Sequence, residues 1–205
     1  MSDNGLSALI QKIARLASAG IDWVQLREKD LSARDLANLT RKALRCTRAH
    51  PGKSATSTRI VVNDRADVAR AEGADGVHLG ENSLPVREVK SLVAHPAPSN
   101  FLVGVSCHSL EGAKSAKAAG ADYVFFGPVF ATPSKAAFGE PQGIGRLGEV
   151  CRQISIPVVA IGGVTVGNAP ACFAAGAAGI AAIRLFQDPI DPASIVEALR
   201  KMAPR

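Results

Sequence analysis

A short string that recurs four times, a strand-like run between successive copies, and an Ala-rich helical stretch before each copy predict a parallel α/β fold, a closed (β/α)8 barrel of the TIM type. The copies are Gly20-Ile-Asp-Trp-Val-Gln-Leu-Arg27, Gly73-Ala-Asp-Gly-Val-His-Leu-Gly80, Gly120-Ala-Asp-Tyr-Val-Phe-Phe-Gly127 and Gly176-Ala-Ala-Gly-Ile-Ala-Ala-Ile183. Their starts lie 53, 47 and 56 residues apart, about twice the roughly 30 residues of one strand–helix–strand step. Between them fall the runs Arg59–Asn63, Leu102–Ser106 and Pro157–Gly162. A copy at every second strand suits a barrel, whose interior layers draw on alternate strands. Such a barrel places its chemistry at the strand C-termini.

The 205 residues suit a single domain, 1–205, at the short end for this architecture. With 47% hydrophobic but only 4% aromatic residues, the core must be built from Ala, Val, Ile and Leu, as strands buried on both faces require. No apolar run reaches the roughly 18 residues of a membrane span and no signal-peptide pattern opens the chain, so a cytoplasmic location is expected. Cys46, Cys107, Cys151 and Cys172 lack metal-ligand or redox spacing and read as small buried hydrophobes in a reducing compartment. Lys and Arg number 24 against 18 Asp and Glu. The cations are scattered and stacking aromatics are scarce, which disfavours nucleic acid and favours a small anionic substrate.

In chain order, Leu6, Leu9, Ile10, Ile13, Leu16 and Ala17 sit at helical spacing and predict a helix over 6–19, directly before the first repeat strand. Later helices are expected over 32–49, 66–72, 85–94, 110–119, 144–153, 168–175 and 191–202. Ser32, Ser109 and Asp191 stand at N-cap positions, with Glu111 in the first turn after Ser109. Pro51–Thr58 and His95–Asn100 read as polar outer connections. The longest irregular stretch, Phe130 to Gln142, is rich in Pro, Ser and Gly and reads as a lid on the catalytic side. This accounts for seven strands. An eighth would have to precede Leu6, where only Met1–Gly5 remain. Either the barrel is open at that seam or this start omits a strand, and the second is expected. An exposed seam strand would be a pairing edge, which makes a homo-oligomer plausible.

The strand ends carry the candidate chemistry. Alternation turns Val24 and Leu26 toward the helices and Gln25 and Arg27 toward the barrel interior. An interior Arg without a partner is costly, whereas at the rim, with Lys29 just beyond, it can meet an anion, and Arg suits bidentate phosphate contact. A plain ion pair of Arg27 with Glu28 or another acid is the structural alternative. The next strand ends Asn63-Asp64-Arg65. Asp64 is placed to hold a divalent cation on a phosphate-bearing ligand, or else to cap the helix that follows. Gly162-Gly163 at a strand end can offer backbone N–H groups to a phosphate, or serve tight packing alone.

Together the strand ends Gln25-Leu-Arg-Glu-Lys29, Asn63-Asp64-Arg65, Gly76-Val-His-Leu-Gly80, Gly104-Val-Ser-Cys-His-Ser109, Phe126-Gly-Pro-Val-Phe-Ala-Thr-Pro-Ser-Lys135 and Ala160-Ile-Gly-Gly-Val-Thr165 resemble the thiamin phosphate synthase and TenI superfamily, in matching order from about Gly20 onward. The resemblance implies transfer of a pyrimidine methyl group from its diphosphate to thiazole phosphate, with Mg²⁺ and phosphorylated thiamin precursors as ligands. It assigns Gln25, Arg27, Lys29, Asn63 and Lys135 to the diphosphate, Asp64 to the metal and Ser106 to the pyrimidine. Thr132, Ser134 and the Gly162 and Gly163 N–H groups are assigned to the thiazole phosphate. Chemistry of this kind, largely dissociative, needs charge and alignment and no nucleophile.

The chain departs from the synthase pattern at two strand ends. Ser83 stands where a second metal-binding Asp is usual, with Glu81 two residues upstream as a substitute, and Arg184 follows the last strand where a small Ser-containing turn is usual. Arg184 is expected to contact phosphate or fill the pocket. Ser83 and Thr132-Pro-Ser-Lys135 resemble the thiazole tautomerases of the superfamily, which need a general acid/base. His78 and His108 are the candidates for that role, although a lone strand His is more often structural. The synthase reading is favoured, a tautomerase is the alternative, and a non-catalytic precursor-binding protein is the third.

Overall fold

The computed structural model describes residues 3–49, 57–80, 82–94, 100–132, 140–187 and 191–203. Within them, helix and strand alternate: α1 (Asp3–Ser18), β1 (Trp23–Leu26), α2 (Ala33–Ala49), β2 (Arg59–Asn63), α3 (Ala66–Ala71), β3 (Gly76–Leu79), α4 (Val86–Val93), β4 (Leu102–Cys107), α5 (Leu110–Ala118), β5 (Tyr123–Phe126), α6 (Gly143–Gln153), β6 (Val158–Ile161), α7 (Ala169–Ala174), β7 (Gly179–Ala181) and α8 (Pro192–Met202). A 3₁₀ turn, Arg184–Phe186, links β7 toward α8. The expected caps are made: Ser32 accepts from the Asp35 N–H at 3.1 Å, Ser109 from Gly112 at 3.0 Å and Asp191 from Ala193 at 3.0 Å. Most of the connections 51–58 and 95–100 lie outside the described residues.

All strand pairs are parallel and follow chain order from β1 to β7. Among the described residues β1 and β7 share no ladder, so the α/β barrel is open along a seam between them. Where an eighth strand would have begun, Asp3–Gly5 form the first turn of α1. The seam is bridged from outside and below. Helices α1 and α8 touch, and one Arg200 nitrogen donates to the Gly20 carbonyl at 2.7 Å and to Asp22 Oδ1 at 2.8 Å.

The repeat has a physical basis. Gly20, Gly73, Gly120 and Gly176 all hold positive φ, between 68° and 100°. Each ends a helix with the same bond pair: the glycine N–H reaches the carbonyl three residues back, and the next N–H reaches the carbonyl five back. For the third copy these are Gly120 to Lys117 at 3.0 Å and Ala121 to Ala116 at 3.0 Å. This is the Schellman turn, which satisfies the last helical carbonyls and redirects the chain. In the middle copies the following Asp then reaches sideways, Asp75 accepting from the Ile60 N–H at 2.7 Å and Asp122 from Val103 at 2.6 Å. Each helix end is thereby tied to the strand beside the one it launches.

The core divides by strand parity. Ile60, Val62, Val77, Leu79, Val103, Val124, Phe126, Val158 and Ala160 join the helices' apolar faces in one continuous cluster. Residues of the other parity fill the barrel. There the chain's one Trp and one Tyr meet edge to face, Trp23 to Tyr123 at 4.7 Å between centroids, with Phe125 5.5 Å from Tyr123 and His78 4.2 Å from Phe125. Cys107 and Cys172 are buried as expected, whereas Cys46 and Cys151 are only half-buried; all four are free thiols. At Gly120 an added Cβ meets nothing within 4 Å, so Gly120→Ala tests the turn's backbone conformation alone. It should destabilise the fold by about 1–2 kcal/mol in urea unfolding without altering the m-value.

Candidate active site

The C-terminal ends of β1, β2 and β3 are joined by an unbroken line of polar groups. Gln25 Nε2 donates to Asn63 Oδ1 at 2.8 Å, and Asn63 Nδ2 donates to Asp64 Oδ2 at 2.6 Å. Asp64 Oδ1 accepts from the Ser83 hydroxyl and, at 3.3 Å, from the Gly80 N–H. Asp64 lies at φ 60°, the one described non-glycine residue in the left-handed region, a conformation that Asp tolerates better than most residues. The chain turns there, its N–H on the His78 carbonyl at 2.9 Å, and the carboxylate is held beside β3. Asp64 is therefore not the cap of α3. That position belongs to Arg65, which makes no side-chain cap bond. Arg27 and Lys29 are exposed just past the end of β1, and among the described residues neither has an ion-pair partner, contrary to the ion-pair alternative for Arg27.

Below this rim lies a polar trio, its His and Tyr buried and its Ser half-buried. His78 is 2% exposed, with Nδ1 3.1 Å from the Tyr123 hydroxyl and Nε2 2.9 Å from Ser106 Oγ. Burial pushes the imidazole pKa down from its ordinary 6.5 to about 4, opposed in part by the charge of Asp64. Burial, reinforced by Asp122, raises that of the Tyr123 phenol. Both groups are neutral throughout the physiological range.

The β5–β6 sector is built from close backbone approach. A Cβ on Gly162 would lie 2.5 Å from Pro128 Cα, and one on Gly163 2.6 Å from the Ala131 carbonyl; both have positive φ. The segment after β5 runs along β6, with Val129 N–H on the Ile161 carbonyl at 2.9 Å and Phe130 N–H on Gly162 at 3.0 Å. It returns through Gln142 and Gly143, bonded to the Pro128 and Val129 carbonyls at 2.8 and 3.1 Å. Asn168 fixes the glycine turn from the other side. Its Nδ2 donates to the Gly163 carbonyl at 3.0 Å and its Oδ1 accepts from Thr165 N–H at 2.7 Å. Among the described residues the Gly162 and Gly163 N–H groups have no acceptor. The glycines thus serve tight packing, and their N–H groups stay free of acceptors among the described residues.

Gln25, Asn63, Asp64 and Ser106 come together at one mouth of the barrel, with Arg27 and Lys29 at its lip. Thr132 is half-buried at the last described position of the segment after β5, and Arg184 is exposed in the 3₁₀ turn after β7. His108 Nδ1 donates to the Gly127 carbonyl at the base of that segment. Ser134, Lys135 and Glu81 lie outside the described residues, as does 133–139, the middle of the expected lid. Sequence reasoning missed Asn168, Tyr123 and the bond from Ser83 to Asp64. The Thr165-x-x-Asn168 spacing after two glycines was the available signal for Asn168. Among the described residues no group of three or more His, Cys, Asp or Glu converges as a metal centre.

The state of His78 sets a pH dependence. Below pH 6.5 the unfolded chain takes up a proton at this position that the folded chain refuses until about pH 4. Stability is unaffected above that window and falls as pH drops through it, by on the order of 3 kcal/mol at its foot. Urea unfolding at pH 7, 6 and 5 should show a steeper loss for the native chain than for His78→Gln.

The family profile described as thiamine monophosphate synthase matches residues 2–186. A putative thiamine-phosphate synthase of Geobacter sulfurreducens is 45% identical, over 96% of this chain and 87% of its own length. The thiamine-phosphate synthase of Methanoculleus marisnigri is 44% identical, over 92% and 85%. Among solved structures, thiamine phosphate pyrophosphorylase from Pyrococcus furiosus superposes with a TM-score of 0.81 at 30% identity, covering 98% of this chain and 91% of its own. A 3-hexulose-6-phosphate synthase, at 21% identity and TM-score 0.68, shares the fold alone. The chain belongs to the thiamine monophosphate synthase family, enzymes of thiamin biosynthesis.

Proposed function

We propose that this chain is a transferase that moves a pyrimidine methyl group from its diphosphate to the ring nitrogen of thiazole phosphate. The bond from the methyl carbon to the diphosphate oxygen breaks, and the departing diphosphate keeps the electron pair. The thiazole nitrogen lone pair then forms the new C–N bond. The observation that carries this reading is the pairing of two anion-seeking sectors on one barrel mouth. One has Arg27 and Lys29 beside the Gln25–Asn63–Asp64 line, and the other has open N–H groups at Gly162 and Gly163. Between them lies an aromatic floor edged by the Ser106 hydroxyl. Such a site binds two phosphorylated molecules and aligns them, which is what a dissociative transfer requires.

In this assignment Gln25, Arg27, Lys29 and Asn63 take the diphosphate, with Lys135 from the loop. Thr132, Ser134, Arg184 and the two glycine N–H groups take the thiazole phosphate. His108 orders the Gly127 turn between them. Asp64 is the described carboxylate that would hold Mg²⁺, and Glu81 is a second candidate. One carboxylate suits Mg²⁺, which keeps several waters and takes substrate phosphate oxygens as its remaining ligands. When bound, Mg²⁺ would neutralise charge gathering on the leaving diphosphate. The tautomerase alternative fares worse: of its two candidate bases, His78 is buried and spends both ring nitrogens on Tyr123 and Ser106, and His108 commits Nδ1 to the Gly127 carbonyl. No helix among the described residues is long and apolar enough to cross a membrane, and a cytoplasmic location is proposed.

The test is Mg²⁺-dependent release of diphosphate from the pyrimidine substrate on addition of thiazole phosphate. Absence of release at saturating concentrations of both would overturn the proposal. Loss of a charge-assisted phosphate contact in Arg27→Ala should lower kcat/KM about 10- to 100-fold. Asn168→Ala, which unpins the glycine turn, should raise KM for thiazole phosphate several-fold while leaving that for the pyrimidine diphosphate nearly unchanged.

A further inference from the structure

We propose that Tyr123, His78 and Ser106 form a one-way hydrogen-bond relay that obliges the Ser106 hydroxyl to act as a donor toward bound substrate, with Tyr123 and His78 as positioning residues. The relay begins with an empty space. Gly104 on β4 is in register with His78 on β3 and with Tyr123 on β5. A Cβ on Gly104 would overlap the Tyr123 ring, so only glycine lets the phenol lean across β4 to His78 Nδ1, 3.1 Å away. Ser106, two residues further along β4, then receives His78 Nε2 at 2.9 Å.

The direction follows from counting protons. Among the described residues, His78 Nδ1 is the single hydrogen-bond partner of the Tyr123 hydroxyl, and Tyr123 as a residue is 1% exposed. If Nδ1 carried the imidazole proton, the phenol proton would be buried without an acceptor, and Nε2 would have to accept from Ser106. If the phenol donates to Nδ1, every buried proton is placed: Nε2–H donates to Ser106 Oγ, and the Ser106 proton is left for an acceptor outside the trio. Buried donors are rarely left unpaired, so the second arrangement is selected. Neutral His78 and protonated Tyr123 are both required, which suits two side chains 2% and 1% exposed with no charged hydrogen-bond partner among the described residues. Ser106 itself is half-buried, with no other partner among the described residues. Its exported proton selects a ligand carrying a hydrogen-bond acceptor at that depth. On the reaction proposed above, that acceptor belongs to the pyrimidine.

Two measurements on the full chain test this. In ¹⁵N spectra of labelled histidine at pH 7, with His78 assigned by its loss in His78→Gln, Nδ1 should be unprotonated and Nε2 protonated. The opposite tautomer, or an even mixture, would overturn the relay whether or not the chain turns over substrate. The defined tautomer in a chain without turnover would uphold the relay and defeat the proposed reaction instead. In a double-mutant cycle, Tyr123→Phe should lower kcat/KM about tenfold when Ser106 is present, the loss of one oriented hydrogen bond. In the Ser106→Ala background it should have less than a twofold effect. Equal effects in both backgrounds would show that Tyr123 acts through packing alone and would defeat the relay.

Discussion

The left-handed glycine turn at the end of every second helix is the constraint on which the rest depends. It satisfies the helix's last carbonyls, reverses the chain and launches a strand with fixed parity. In two of the three copies where an Asp follows, its side chain fastens the launch point to the neighbouring strand. Since side chains alternate along a strand, the launch point decides which residues face the helices and which face the barrel. A one-residue shift at Gly73 would exchange His78 for its apolar neighbours. The turn thus sets the chemistry at the opposite end of the strand, although it never touches a ligand.

The barrel interior is built in two tiers. The lower tier is aromatic, with Tyr123 and Phe125 against His78 and Trp23 on the edge of Tyr123. The upper tier is a belt of amides, a carboxylate and hydroxyls running from Gln25 to Ser83. Their join is His78, which packs like an aromatic and bonds like an amide. A barrel poor in aromatics places its one Trp and one Tyr here, because a narrow lumen needs flat side chains that can interdigitate while the outer layer is filled by Val, Ile, Leu and Ala.

The order of elements was legible in the sequence because helix caps and alternating apolar runs are local signals. Ser32, Ser109, Asp191 and the four glycines each act within a few residues of themselves. The strand-end chemistry was legible where a polar residue stood against an apolar pattern, as Gln25, Asn63 and Asp64 do. The bonds joining these residues were not. Ser83 to Asp64 spans nineteen positions and Tyr123 to His78 forty-five, and nothing local in either residue names the other. Gly104 shows the same limit: it reads as a weak point in a strand, and its purpose appears only when β5 is laid beside it. The choice between Asp64 as cap and Asp64 as rim carboxylate was likewise settled by distant partners.

The open seam has a mechanical consequence. A strand in the middle of a sheet is held by ladders on both edges, whereas among the described residues β1 is laddered to β2 alone, with Arg200 fastening its lower end. The cations Arg27 and Lys29 therefore stand just past the end of an edge strand, while Ser106 and His78 stand on strands laddered on both sides. Amide exchange should be fastest along β1 and β7 and slowest along β3 to β5. An anion bridging Arg27 to the Asn63 side of the rim would act as a cross-brace between β1 and β2, so occupancy of the site and rigidity of that edge rise together.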